Sequence, residues 1–185
     1  GERLKTQGRL RCQNPCPRLC RSENRQPPQP PQALCRCGAC TFKVQSHSPY
    51  PYMRCYCTVC RKIGGGGGYA INIMGDHDTM EVTEDGALAE ISVAIHGQLS
   101  PMKRAFCGRC GTALWGWHPD WPELVHPFAS CIDTDLPVPP SRTHIMLDFK
   151  ANWVEPDIRD GDQTFARYPD QSIEDWHRSR NLWID

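Results

Sequence analysis

Seven cysteines fall in three tight clusters, Cys35-Arg36-Cys37, Cys55-Tyr56-Cys57-Thr58-Val59-Cys60 and Cys107-Gly108-Arg109-Cys110, and no other feature restricts the fold of this chain as much. Thiols at these intervals are metal-ligand patterns. A Cys-x-x-Cys followed by glycine, as in Cys110-Gly111, makes a tight turn that aims two sulfurs and nearby amides at one ion. The competing reading is reduced buried thiols or disulfides. A disulfide closed across a single intervening residue is strained, so metal binding is the stronger reading.

Counting the ligands adds more than noting their presence. Structural zinc is closed by four protein ligands, whereas catalytic zinc keeps three and leaves a position open. Cys35, Cys37, Cys107 and Cys110 can close one structural four-thiolate site, which leaves Cys55, Cys57 and Cys60 to hold a second ion as the reactive centre. Spacing alone leaves another division open. Cys35, Cys37 and Cys40 also form a Cys-x-Cys-x-x-Cys triplet, and Cys55, Cys57 and Cys60 would then join one of Cys107 and Cys110.

Twelve cysteines in 185 residues lie below the roughly 8–10% of disulfide scaffolds but are many for a cytosolic enzyme without metal. A mass of 21.0 kDa fits one domain. With 21 basic and 21 acidic residues, no global field draws nucleic acid or an anionic membrane. No run approaches the roughly 18–20 apolar residues of a spanning helix, and the first residues lack the apolar core of a secretory signal. A soluble, cytoplasmic protein with neither nucleic-acid nor membrane partners is expected.

Residues 1–33 read as a disordered Pro/Arg-rich tail, because Pro15, Pro17, Pro27, Pro28, Pro30 and Pro31 remove amide donors and few large apolar residues accompany them. Cys12, Cys16 and Cys20 would share a helical face, but Pro15 and Pro17 interrupt that helix and argue against a metal site there. From Leu34 onward, short runs alternate with turn signals: 41–45, 69–74, 87–95, 102–106, 112–117, 124–130 and 144–149. This spacing predicts a mainly β, antiparallel domain, in which Tyr69, Ile71 and Ile73 share the core face of one strand. One short C-terminal helix is expected after Ser172-Ile173-Glu174-Asp175, which is similar to a capping box.

Cys35-Arg-Cys37-Gly-Ala, then Cys55-Tyr-Cys57-Thr-Val-Cys60-Arg61-Lys62 with glycines after it, and Phe106-Cys107-Gly-Arg-Cys110-Gly111-Thr112 resemble the glutathione-dependent formaldehyde-activating enzyme family, which includes centromere protein V. The stretch from Ile132-Asp133-Thr134-Asp135 through Thr143-His144-Ile145 to Lys150-Ala151-Asn152-Trp153 is similar to that family's ending. The resemblance implies a compact fold of twisted antiparallel sheets stapled by zinc over residues 34–155, with 156–185 as an extension packing on it. It also implies two zinc ions, one structural on Cys35, Cys37, Cys107 and Cys110 and one catalytic on Cys55, Cys57 and Cys60. Two positions depart from the family pattern: Cys40 replaces a small apolar residue and reads as a buried thiol, and Tyr56 stands where histidine is frequent.

Three thiolates and one Zn²⁺ sum to a charge of −1, which favours activation of a thiol over activation of water. The resemblance then implies a carbon–sulfur lyase-like enzyme in which glutathione is deprotonated and adds to formaldehyde, giving S-hydroxymethylglutathione. Arg61 and Lys62, next to Cys60, can hold glutathione carboxylates. Gly64 to Gly68 lack the Lys-Ser/Thr of a phosphate loop and read as a flexible loop. His144 reads as a hydrogen-bonded core residue, Cys131 as a buried thiol, Trp115, Trp117 and Trp121 as packing under the sheet, and Asp133 and Asp135 as backbone caps. The rival class is a non-catalytic, zinc-stapled binding module, which would fill the fourth position at Cys55/Cys57/Cys60. The oligomeric state stays open.

Overall fold

The computed structural model describes residues 31–64 and 66–185; Cys12, Cys16, Cys20 and nearly all of the expected tail lie outside them. Among the described residues, twelve strands form three sheets. The first sheet joins β1 (Gln32–Leu34), β2 (Thr41–Lys43) and β6 (Glu81–Glu84), with β2 central. The second runs β5 (Gly75–Asp76), β10 (Leu124–Pro127), β9 (Ala113–Trp117), β8 (Gln98–Cys107) and β7 (Leu88–Ile95). The third runs β12 (Gln163–Thr164), β11 (Thr143–Ile145), β3 (Met53–Cys55) and β4 (Ala70–Ile71). Gln32 and Ala33 therefore belong to a strand rather than to the tail.

The expectation of mainly β structure holds, but a purely antiparallel arrangement does not. β11 lies parallel to both β3 and β12, and all three of its residues are buried, as a central strand covered on both faces requires. The 69–74 run also departs from strict alternation. Ala70 and Ile73 are buried while Tyr69 and Ile71 are half-buried, because pairing covers only Ala70–Ile71 and the chain then breaks into single bridges.

The core lies between the first two sheets. Ala33, Phe42, Val44, Leu114, Trp115, Val125 and Phe128 fill it together with Cys35, Cys40, Cys107 and Cys131. Phe42 meets Trp115 edge-to-face at 4.9 Å between centroids, a favoured aromatic geometry. Trp115 is thus packing, whereas Trp121 is 53% exposed. β7 and β8 are joined through His96-Gly97, both at positive φ, the two-residue turn that matches strand twist.

The expected helix, α2 (Ile173–Arg178), starts at Ser172, whose hydroxyl oxygen accepts from the Asp175 N–H at 3.0 Å. Its Trp176 stacks on Tyr52 at 3.7 Å, so the C-terminal residues fold back on the start of β3. Among the described residues, no helix is long and apolar enough to cross a membrane.

The glycine run is not simply a flexible loop. A Cβ on Gly64 would sit 2.5 Å from the Phe128 ring, and Gly68, at φ +83°, would place one 2.3 Å from Val154. Gly68→Ala is expected to cost roughly 1–3 kcal/mol in chemical denaturation, whereas Gly67→Ala, with 3.4 Å to Tyr69, should stay near wild type. His144 and His177 are fully buried, and burial holds both below the ordinary imidazole range. The unfolded chain takes up protons at these sites below about pH 6.5 while the folded one resists. Stability should therefore be full above that pH and fall as pH drops, by up to about 1.4 kcal/mol per pH unit for each histidine. Denaturation midpoints at pH 7.5 and 5.5 check this, and His177→Gln should shrink the difference.

Candidate metal centres

Two turns with the same construction bring four sulfurs together. After β1, Gly38 N–H donates to the Cys35 carbonyl at 3.0 Å and Cys35 N–H to the Cys40 carbonyl at 2.8 Å. Between β8 and β9, Gly111 N–H donates to the Cys107 carbonyl at 2.7 Å and Cys107 N–H to the Thr112 carbonyl at 2.9 Å. Gly38 and Gly111 stand at φ +76° and +77°, which a side chain disfavours. Arg36 N–H reaches the Thr112 hydroxyl at 3.1 Å and ties one turn to the other.

The sulfurs of Cys35, Cys37, Cys107 and Cys110 lie within 4.8 Å of one another. Cys35 to Cys37 is 3.6 Å and Cys37 to Cys107 is 3.8 Å. These separations are too long for disulfides, at about 2.05 Å, and match the edge of about 3.8 Å of a tetrahedron with metal–sulfur bonds near 2.3 Å. The donor set therefore fits a single tetrahedral ion. Cys40 is not in this group. It is buried beside it, and burial, with Cys107 adding to it, pushes its thiol up to about 12.

The second group is built at the end of β3. Cys55 pairs with Ile145 of β11 on one side and with Ala70 of β4 on the other. A helix that the sequence pattern did not reveal, α1 (Thr58–Ile63), follows directly. Its cap is Cys57, whose sulfur accepts the Cys60 N–H at 3.3 Å, the role usually taken by serine or aspartate. One helical turn thus brings Cys60 back to Cys57, and the sulfurs of Cys55, Cys57 and Cys60 gather within 4.8 Å. Among the described residues, no fourth His, Cys, Asp or Glu joins them. The alternative division, with Cys35, Cys37 and Cys40 as the triplet, is not the grouping the fold produces.

Without an ion these sulfurs share protons unequally. Hydrogen bonds from the Cys55 and Cys60 thiols, with the Cys60 and Val59 amides, hold Cys57 as the thiolate, while its neighbours are pushed up, Cys55 to about 11. All three residues are half-buried, unlike the fully buried Cys35 and Cys107. Tyr168, itself 74% exposed, is close enough for the charge of the three sulfurs to raise its phenol further. Of the cations beside Cys60, Lys62 is exposed and Arg61 is half-buried, its Nε buried without a hydrogen-bond partner.

Behind the centre runs a polar network that the sequence pattern showed only as an isolated His144. Tyr56, between two of the cysteines and fully buried, has its hydroxyl 2.9 Å from His144 Nδ1. His144 Nε2 is 3.3 Å from Asp162 Oδ2. Arg142 grips the same carboxylate through Nη2 at 2.6 Å and Nε at 2.9 Å. Burial alone would raise the Asp162 carboxyl, but these bonds hold it below the usual carboxylate range. Cys131 is a buried thiol, as expected, pushed up to about 12, and Asp133 accepts the Leu34 N–H as a backbone cap.

The fold and its sulfur groups define a class: small, mainly β proteins whose sheets carry two cysteine clusters, each shaped for one metal ion. The sequence model of the glutathione-dependent formaldehyde-activating enzyme family matches residues 30–148. A Halomonas elongata protein named "Putative glutathione-dependent formaldehyde-activating enzyme" is 55% identical over 151 residues, covering 82% of this chain and 96% of that one. The chain belongs to the glutathione-dependent formaldehyde-activating enzyme family. A solved Rhodobacter sphaeroides protein superposes with a TM-score of 0.46 at 21% identity, over 57% of this chain and 91% of that one.

The proton distribution has a measurable consequence in metal-stripped, reduced protein. Thr112 hydrogen bonds bring Cys110 to about 5. Alkylation at pH 6 followed by mass mapping should label Cys110 and Cys57 first and the buried Cys40 and Cys131 last.

Proposed function

We propose that this protein is a zinc-dependent carbon–sulfur lyase-like enzyme that joins glutathione to formaldehyde, or cleaves the product, at Cys55, Cys57 and Cys60. One observation carries the reading beyond family membership: this group offers three sulfurs and, among the described residues, no fourth protein ligand. Three protein ligands with an open position are the pattern of catalytic zinc, and four the pattern of structural zinc. A second zinc on Cys35, Cys37, Cys107 and Cys110 would then be structural.

Bound at the triplet, zinc would make a coordinated thiol ionise near neutral pH. The chain's own residues do the rest. Cys55, Cys57 and Cys60 bring three negative charges, which keep electron density on sulfur and favour a thiol nucleophile. Arg61 and Lys62 follow on the same helical turn, and the unpartnered Arg61 Nε suits a carboxylate of glutathione. In the reaction the glutathione sulfur bonds to the formaldehyde carbon, the carbonyl π pair moves to oxygen, and the thiol proton ends there, giving S-hydroxymethylglutathione. The reverse breaks the same carbon–sulfur bond.

Elemental analysis of reduced protein should give two zincs per chain, and one for Cys57→Ala. Nuclear magnetic resonance with ¹³C-formaldehyde should show faster glutathione adduct exchange with wild type than with that variant, and Arg61→Ala should raise the glutathione KM about tenfold, the loss of a charged hydrogen bond. One zinc in both proteins, with no effect on adduct exchange, would instead identify a zinc-stapled binding module.

A further inference from the structure

We propose that the buried chain Asp162–His144–Tyr56 is a positioning device for the three-cysteine centre, so that the centre depends on a residue beyond the stretch that the family model matches. This rests on reading Cys55, Cys57 and Cys60 as a metal centre. Tyr56 occupies the position between two of those sulfurs, and neighbouring side chains in an extended segment point to opposite sides. Its ring therefore enters the core while the sulfurs on either side face the centre. Any rotation of the backbone at Tyr56 swings Cys55 and Cys57 together.

The hydrogen bonds have one direction only. The Asp162 carboxylate accepts from Arg142 side chain and backbone and from the Arg159 N–H at 3.0 Å, so it has no proton to give. His144 Nε2 must then carry hydrogen towards Asp162 Oδ2. In a neutral imidazole that leaves Nδ1 as an acceptor, and Tyr56 O–H donates to it at 2.9 Å. The ring of Tyr56 is thereby fixed by a residue on β11, which is in turn fixed by a carboxylate just before β12.

Packing alone does not call for these groups. Phenylalanine would fill the ring volume at position 56 without burying a hydroxyl, which is costly unless bonded. Tyr56 and His144 are both 0% exposed, and the chain they form ends on the segment between two metal-ligating positions. Groups standing behind ligands typically change metal affinity by about 10–100-fold when removed. The family match ends at residue 148, and Asp162 lies beyond it.

Full-length, metal-stripped and reduced protein titrated with Co²⁺ and followed by visible absorption tests this. Cys57→Ala identifies which of two cobalt equivalents belongs to the triplet. Tyr56→Phe is expected to weaken that equivalent about tenfold and shift its absorption band, leaving the four-cysteine equivalent unchanged. The double variant Tyr56→Phe, His144→Leu removes both hydrogen-bonding partners. It should recover folding stability relative to Tyr56→Phe without restoring the triplet band. If Tyr56→Phe lowers the unfolding midpoint yet keeps wild-type affinity and band at the triplet, the network is core packing and the proposal fails. If wild type takes a single cobalt, or Cys57→Ala takes as many as wild type, the metal centre itself fails, whatever Tyr56 does.

Discussion

Four sulfurs drawn to one point from turns 70 residues apart set the condition on which the rest of the molecule depends. Thiolates this close repel, and they share the space only with protons or a cation among them. Cys35 and Cys107 are fully buried while Cys37 and Cys110 are exposed. The cluster is thus half inside the core and half on its surface. It fastens the β1–β2 turn to the β8–β9 turn, and so the first sheet to the second.

The second group has a different mechanical setting. Cys55 is held by strands on both sides and Cys57 and Cys60 by a single helical turn, so its three sulfurs come from two kinds of backbone. None is fully buried. One group is held by two hydrogen-bonded turns, half buried and half exposed, and the other stands half-buried at the junction of strand and helix. The fold separates them by placing one at the boundary of two sheets and the other at the end of the third.

Much of this was legible in the residues. The clusters announce themselves because ligand spacing is local, and β8 and β9 because turn signals bound the runs 102–106 and 112–117. Ser172 and Asp175 marked α2 for the same local reason. What stayed hidden depends on partners far away. β6 is Glu81-Val82-Thr83-Glu84, exposed throughout, and becomes a strand only because β2 offers it an edge. β3 and β12 are two or three residues long and are defined by β11. α1 was concealed because cysteine is not read as a helix cap, although Cys57 serves as one. His144 was recognisable as a core polar residue, but its partners Tyr56 and Asp162 lie 88 and 18 positions away, and no periodicity connects them.

The parallel pairing of β3 with β11 carries a consequence for the order in which the molecule matures. During synthesis the four-cysteine group can close as soon as Cys110 has emerged. β3, by contrast, must wait for β11, and Tyr56 has no anchor until the chain has been made through Asp162. Contacts across so long a separation form late, because their loop must close before any pairing rewards it. The nascent protein therefore passes through an interval in which all four residues of the first sulfur group have been made while Cys55, Cys57 and Cys60 still lack the strand that anchors β3.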